Sequence, residues 1–205
     1  MKSVEIHTEN PNPRTINQAV KVLENGGLLI YPTDTVYGIG CNVYNKKALE
    51  HLYRLKGKSK FDPVSLVVLN IQQASRYARI SNFAYRILRH CLPGPYTFIL
   101  PATREIPKLM LSRRKEVGIR IPDCNVSKAL LETLNYPLVN TSVSMSAEEL
   151  LNDPVEIEDR YYSEVSMFLN AGWLPNPIES TIVSLVNDEV EVLREGKGDI
   201  NRLLE

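Results

Sequence analysis

The chain carries no excess of charge of either sign: 24 Lys and Arg balance 24 Asp and Glu over 205 residues. Net charge therefore gives no case for nucleic-acid or membrane binding, and any basic surface must be local. No run approaches the ~20 apolar residues that cross a bilayer as a helix. The opening Met1–His7 lacks the roughly 7–15-residue apolar core of a secretory signal, so a cytoplasmic protein is expected. Cysteine is scarce, with Cys41, Cys91 and Cys124 far apart in apolar settings. Three reduced, largely buried thiols suit that pattern better than a disulfide framework. His7, His51 and His90 show no metal-ligand spacing with one another or with the cysteines, so no protein-held metal is expected. A nucleophilic Cys–His pair has no local signature either. Internal repeats, low-complexity tracts and Pro/Gly/Ser linkers are absent, which predicts one domain over residues 1–205.

What is present is an ordinary globular composition, 43% hydrophobic and 23% charged, able to bury a sizeable core. Helical periodicity over Thr15–Asn25 stops at Gly26-Gly27, and Leu28–Tyr31 reads as a buried strand. Asn45 is placed to cap a helix through Leu55, and Ser81-Asn82 to cap one through Cys91. Further strands are predicted at Val64–Leu69, Tyr96–Leu100, Val117–Ile121, Leu138–Val143, Val165–Leu169, Thr181–Val186 and Val190–Leu193. A helix over Val126–Leu134 and a short one from Asp199 complete an α/β layered domain, a twisted mixed sheet with flanking helices.

Several segments turn polar where strands end. Tyr31-Pro32-Thr33-Asp34-Thr35-Val36-Tyr37-Gly38-Ile39-Gly40 crowds hydroxyls and a carboxylate behind an apolar run, as either a connecting loop or a ligand loop. Arg54, Lys56, Lys58 and Lys60 flank a Gly57 turn, so they form either a solvated charged loop or a group of cations converging on a polyphosphate. Arg120 interrupts an apolar strand in Gly118–Pro122, where an unpaired guanidinium is costly; it needs an acidic partner or an anionic ligand. Asn140–Ser144, Glu179-Ser180-Thr181 and Arg194-Glu195-Gly196 repeat the polar-at-strand-end pattern.

Taken in order, Pro-Thr-Asp-Thr-Val-Tyr-Gly-Ile-Gly, Lys-Gly-Lys, Pro93-Gly94-Pro95-Tyr96-Thr97, Gly-Ile-Arg-Ile-Pro, Glu-Ser-Thr-Ile-Val and Arg-Glu-Gly resemble the YrdC-like family of threonylcarbamoyl-AMP synthases. The resemblance covers about residues 12–200, and the Tyr-Thr-Phe-Ile-Leu and Arg-Glu-Gly-Lys-Gly-Asp segments look most like its YciO branch. It implies a YrdC/RibB-like fold, with the sheet wrapped around an open basic cavity and no additional C-terminal domain. It also implies nucleotidyl transfer: L-threonine and bicarbonate form a carbamate that attacks the α-phosphate of ATP, for tRNA modification. No covalent nucleophile is then needed, only two anionic reactants held in line with water kept out. The resemblance assigns Thr35, Arg120, Asn140 and Ser180 to the threonine side. It assigns Lys56, Lys58, Asp62, Ser142 and Arg194 to ATP and its phosphates, with Mg²⁺ arriving on the nucleotide. Asp34 is left as an orienting or metal-proximal carboxylate.

Four residues depart from the family pattern. Lys58 replaces an Arg, which removes bidentate phosphate recognition. Asp62 replaces an Asn, Ser144 replaces the Asn of a Ser-x-Asn motif, and Val67 replaces a polar residue. A carboxylate near phosphates adds repulsion of about 4 kcal/mol at 4 Å and an effective dielectric of ~20, more than the ~1 kcal/mol of one neutral hydrogen bond. The alternative is therefore an RNA-binding protein, or an enzyme on modified RNA, using tRNA or double-stranded RNA as partner. Arg113-Arg114-Lys115 and the Arg54–Lys60 run would then supply phosphate contacts.

Overall fold

The computed structural model describes residues 1–57, 64–110, 115–144 and 150–203. In chain order the elements are β1 (Lys2–Glu5), α1 (Pro13–Glu24), β2 (Leu29–Tyr31), β3 (Gly38–Asn42), α2 (Lys46–Leu55), β4 (Ser65–Val67), α3 (Ile71–Tyr77), α4 (Asn82–Cys91) and β5 (Tyr96–Pro101). There follow β6 (Glu116–Arg120), α5 (Asn125–Leu134), β7 (Leu138–Ser142), α6 (Pro154–Tyr161), β8 (Met167–Asn170), β9 (Thr181–Ser184) and β10 (Glu191–Arg194), with a closing 3-10 turn at Ile200–Leu203.

Local chemistry sets the helix starts. Asn45 Oδ1 accepts from the Ala48 amide at 3.0 Å and Ser81 Oγ from the Ala84 amide at 3.1 Å, satisfying donors that a first turn leaves unpaired. Asn12 caps α1, whose first residue is Pro13, and Asn135 ends α5 in the left-handed region at φ 57°.

Ten strands form one mixed sheet in the order β1-β8-β2-β3-β7-β4-β6-β5-β9-β10. β1–β8, β2–β8, β4–β6 and β5–β9 are parallel, and the other neighbours are antiparallel. Register explains the two faces, because residues directly paired across strands share a face and the next residue points the opposite way. One row across the middle is Cys41, Val139, Leu66, Ile119, Phe98 and Val183, apolar throughout and buried in the larger core with Leu49, Ala74 and Leu88. The adjoining row is Gly40, Asn140, Ser65, Gly118, Ile99 and Ser184, mostly small or polar.

That second face is divided. At one end α1 and α5 cover it, packing Ile16, Leu23, Val126 and Leu130 on Leu29, Tyr31, Val67 and Leu138. Beyond them it stays polar. Val67 thus belongs to this second core and is fully buried; its departure from a polar residue fits a packing position beside α1 and α5.

Most sequence-based elements are present within a residue or two. β4 is shorter than Val64–Leu69, and the segment after Tyr31 is only partly a loop, because Gly38–Asn42 forms β3 against β2. β1, α3 and α6 were not predicted: the first is an exposed edge strand of four residues, and the helices have only seven and eight.

Candidate active site

The polar half of the face gathers the strand-end segments. Arg120 closes β6 and is only 4% exposed. Its Nη2 donates to Asp34 Oδ1 at 2.7 Å, to Thr35 Oγ1, and to Thr33 Oγ1 at 3.3 Å. Thr33 Oγ1 donates to the Val36 carbonyl at 2.6 Å and accepts from the Thr35 amide at 3.2 Å, folding residues 33–36 into a hydroxyl-lined turn. The other Asp34 oxygen accepts from the Asp123 amide at 3.2 Å. Each carboxylate oxygen therefore accepts one bond, tying the loop to Arg120 on one side and to the Asp123 backbone on the other. Nη2 thus carries the bonds to Asp34, Thr35 and Thr33, while the buried Nε has no partner among the described residues.

Asn140 lies across the face, and its Oδ1 accepts from the Tyr31 hydroxyl at 2.9 Å. Burial holds the Tyr31 phenol well above its usual pKa, with the nearby Arg120 charge pulling the other way, so it stays a donor. Gly38 makes room for the amide: a Cβ there would fall 2.3 Å from Asn140 Oδ1. Asn140 thus anchors to Tyr31, without a direct bond to Thr35 or Arg120.

A second cluster is built on β9 and β10. Arg194 Nη1 pairs with Glu179 Oε2, while Nη2 and Nε donate to the Ser180 carbonyl at 2.9 and 3.2 Å. Ser142 Oγ, at the end of β7, donates to Glu179 Oε1 at 2.9 Å. Ser180 Oγ meets Thr97 Oγ1 at 2.8 Å and Arg194 Nη2 at 3.5 Å. Ser180, expected on the threonine side, is thus bonded to Thr97 and Arg194 and makes no direct bond to Thr35 or Arg120. The register of β5 beside β9 places Ser180 there. Lys56, just past α2, donates to Ser144 Oγ at 2.6 Å, and Tyr161 donates to the Ser144 carbonyl at 2.8 Å. Ser144 therefore serves as an anchor for the lysine. Lys58 and Asp62 lie outside the described residues.

The turn after β10 joins the clusters. Lys197 Nζ donates to the Asp34 carbonyl at 2.7 Å, and its amide to the Glu179 carbonyl at 2.8 Å. A cavity of about 640 Å³ lies beyond the Ile121–Asp123 turn, lined by Asn70, Pro93, Cys124 and Lys128 among others; none of the described predicted site residues lines it. Cys41 is sealed in the core with its thiol pushed up to about 12 by burial, which leaves it unreactive near neutral pH. Among the described residues, no group of three or more His, Cys, Asp or Glu is placed to hold a metal ion. Likewise, no helix there is long and apolar enough to cross a membrane.

The family model described as "Telomere recombination", Sua5/YciO/YrdC, matches residues 21–196. The chain belongs to the Sua5/YciO/YrdC family. It is 36% identical to YciO of Escherichia coli over 201 residues, covering 97% of each chain. The crystal structure of E. coli YciO superposes with a TM-score of 0.94 at 35% identity, covering 99% of this chain and 100% of that one. The threonylcarbamoyl-AMP synthase of Hydrogenovibrio crunogenus is 36% identical over 139 residues, 66% of this chain and 75% of that protein. Sua5 of P. abyssi, crystallised with L-threonine, shares the fold at a TM-score of 0.88 and 23% identity, over 96% of this chain and 58% of that one.

Residues that sequence reasoning missed are Thr33, Thr97, Glu179 and Lys197. All four lie inside the motifs quoted above, so the available signal was adjacency to Asp34, Tyr96, Ser180 and Gly196. The convergence of Thr97 and Glu179 depends on β5 pairing with β9.

Proposed function

We propose that this Sua5/YciO/YrdC protein is an ATP-dependent L-threonylcarbamoyladenylate synthase or a close relative acting on a threonine-like substrate. The observation that carries the reading is Arg120: a buried guanidinium, half matched by Asp34 and Thr35, at the end of a strand on the polar face. Synthase naming of a relative 36% identical supports the same chemistry.

In this reading the amino acid's carboxylate lies against the remaining Arg120 donors, beside the Thr35 hydroxyl. The carbamate oxygen, formed from its amine and bicarbonate, attacks the α-phosphorus of ATP. The new P–O bond replaces the one to pyrophosphate, which departs with its electron pair. Lys56, Ser142 and Arg194 face the phosphates, and Mg²⁺ travels on the nucleotide. The chain contributes position and charge neutralisation, since two anions must approach each other in a site shielded from water.

The test is pyrophosphate release from ATP by purified protein. The expected result is release that requires both L-threonine and bicarbonate; release that ignores either, or none at all, overturns the reading. RNA binding, carried in the sequence by Arg113-Arg114-Lys115 and Arg54–Lys60, rests largely on residues outside the described ones. It enters as the outcome in which the protein binds RNA with a steep salt dependence and forms no adenylate.

A further inference from the structure

Ser142 and Arg194, two of the donors read as phosphate-facing, already hold an anion supplied by the chain itself. Ser142 Oγ donates to Glu179 Oε1 at 2.9 Å, and Arg194 Nη1 pairs with Glu179 Oε2. A carboxylate with one donor on each oxygen occupies the positions that two phosphate oxygens would take, because both groups prefer the same charge-assisted donors. The two anions cannot share them at contact distance, since like charges in a partly desolvated cleft repel.

The surroundings let only the side chain move. The Glu179 carbonyl accepts from the Lys197 amide at 2.8 Å, and Gly196 packs so close that a Cβ there would fall 2.4 Å from that carbonyl oxygen. The Glu179 side chain is 27% exposed, so rotation carries its carboxylate into water without disturbing the backbone. Arg194 stays in place on release, because two of its nitrogens remain on the Ser180 carbonyl.

We propose that Glu179 is a specificity-determining residue, an internal anion that competes with ligand phosphate for Ser142 and Arg194 and weakens the binding of free polyphosphates. The proposal rests on the nucleotide reading of this cluster. It assigns the subsite to a phosphate group that enters by displacing the Glu179 carboxylate, and it makes that displacement the step separating a phosphorylated ligand from a neutral nucleoside.

Calorimetric titration of wild type, Glu179→Gln and Glu179→Asp with pyrophosphate, Mg²⁺–ATP and adenosine tests this. Glu179→Gln keeps the shape and removes the charge, so pyrophosphate and ATP affinity should rise about tenfold or more while adenosine affinity stays level. Glu179→Asp withdraws the carboxylate and should give a smaller rise, which preserves the test if the Gln variant folds poorly. Unchanged or weaker pyrophosphate binding in both variants overturns the proposal. So does an equal gain for adenosine, which signals general opening of the site, and so does a lack of pyrophosphate binding by all three proteins. A rise in affinity without threonine- and bicarbonate-dependent pyrophosphate release upholds the proposal and removes the synthase reading. Such release with no change in affinity does the reverse.

Discussion

The two halves of the polar face hold their charges differently. Around Thr35, the Arg120–Asp34 pair is nearly sealed, with side chains 5% and 9% exposed, and every partner sits on a strand end or in a tight turn. Around Ser142, the Arg194–Glu179 pair is open, at 37% and 27%. Burial raises the penalty for an unpaired charge, so the first pair is a fixed part of the fold. Solvent lowers that penalty, so the second pair can exchange partners. In the proposed function, the sealed pair would recognise one ligand group by shape and the open pair would admit another by displacement.

The comparison breaks most readily at its buried end. Arg120→Ala strands the Asp34 carboxylate and should destabilise the protein by about 3–5 kcal/mol in urea unfolding, whereas Arg194→Ala should cost no more than about 1 kcal/mol. Equal losses would erase the distinction. Gly38→Ala places a methyl on the Asn140 amide that Tyr31 anchors, and about 1–3 kcal/mol should be lost. A smaller loss would show that Asn140 can shift, making the Tyr31 bond less restrictive than its burial suggests.

Ligand titrations sharpen the same contrast. Lys56→Ala should weaken Mg²⁺–ATP roughly tenfold, the scale of one charged hydrogen bond, with little effect on L-threonine. Thr35→Ala should do the opposite while lowering stability by about 1 kcal/mol. A uniform loss for both ligands in either variant contradicts separate roles.

A further expected effect is alkaline. Burial raises the Tyr31 phenol, and it raises that of Tyr37, which donates to the Gly172 carbonyl at 2.6 Å, from 10.0 to about 12. The folded protein then keeps protons that the unfolded chain releases above pH 10, so stability present below pH 10 should decline as pH rises toward 12. Thermal melts at pH 8, 10 and 11 check the sign, and Tyr37→Phe should flatten the decline.

Much of the fold was legible because its signals are local. The Asn45 and Ser81 caps and the apolar periods of α1, α2, α4 and α5 follow from neighbouring residues alone. β3 was less legible: Gly38 and Gly40 read as loop residues, yet they pair with β2 and β7 in a strand where Asn140 and Tyr31 occupy the space that side chains would need. In the candidate site, Arg120 announced itself as a charge inside an apolar strand. Glu179 did not, since an acidic residue beside a strand is ordinary until Ser142 and Arg194 are brought to it.

The sequence by itself determined the boundaries of α1, α2, α4 and α5, the apolar rows that become the core and the need of Arg120 for an anionic partner. These depend on periodicity, capping chemistry and the cost of a buried charge. Only the tertiary structure decided that Asp34 is that partner, that Ser180 stands with Arg194, and that Glu179 occupies the donors read as phosphate-facing. Those contacts join residues 86, 14 and 37 positions apart, respectively. The order of strands in the sheet creates them.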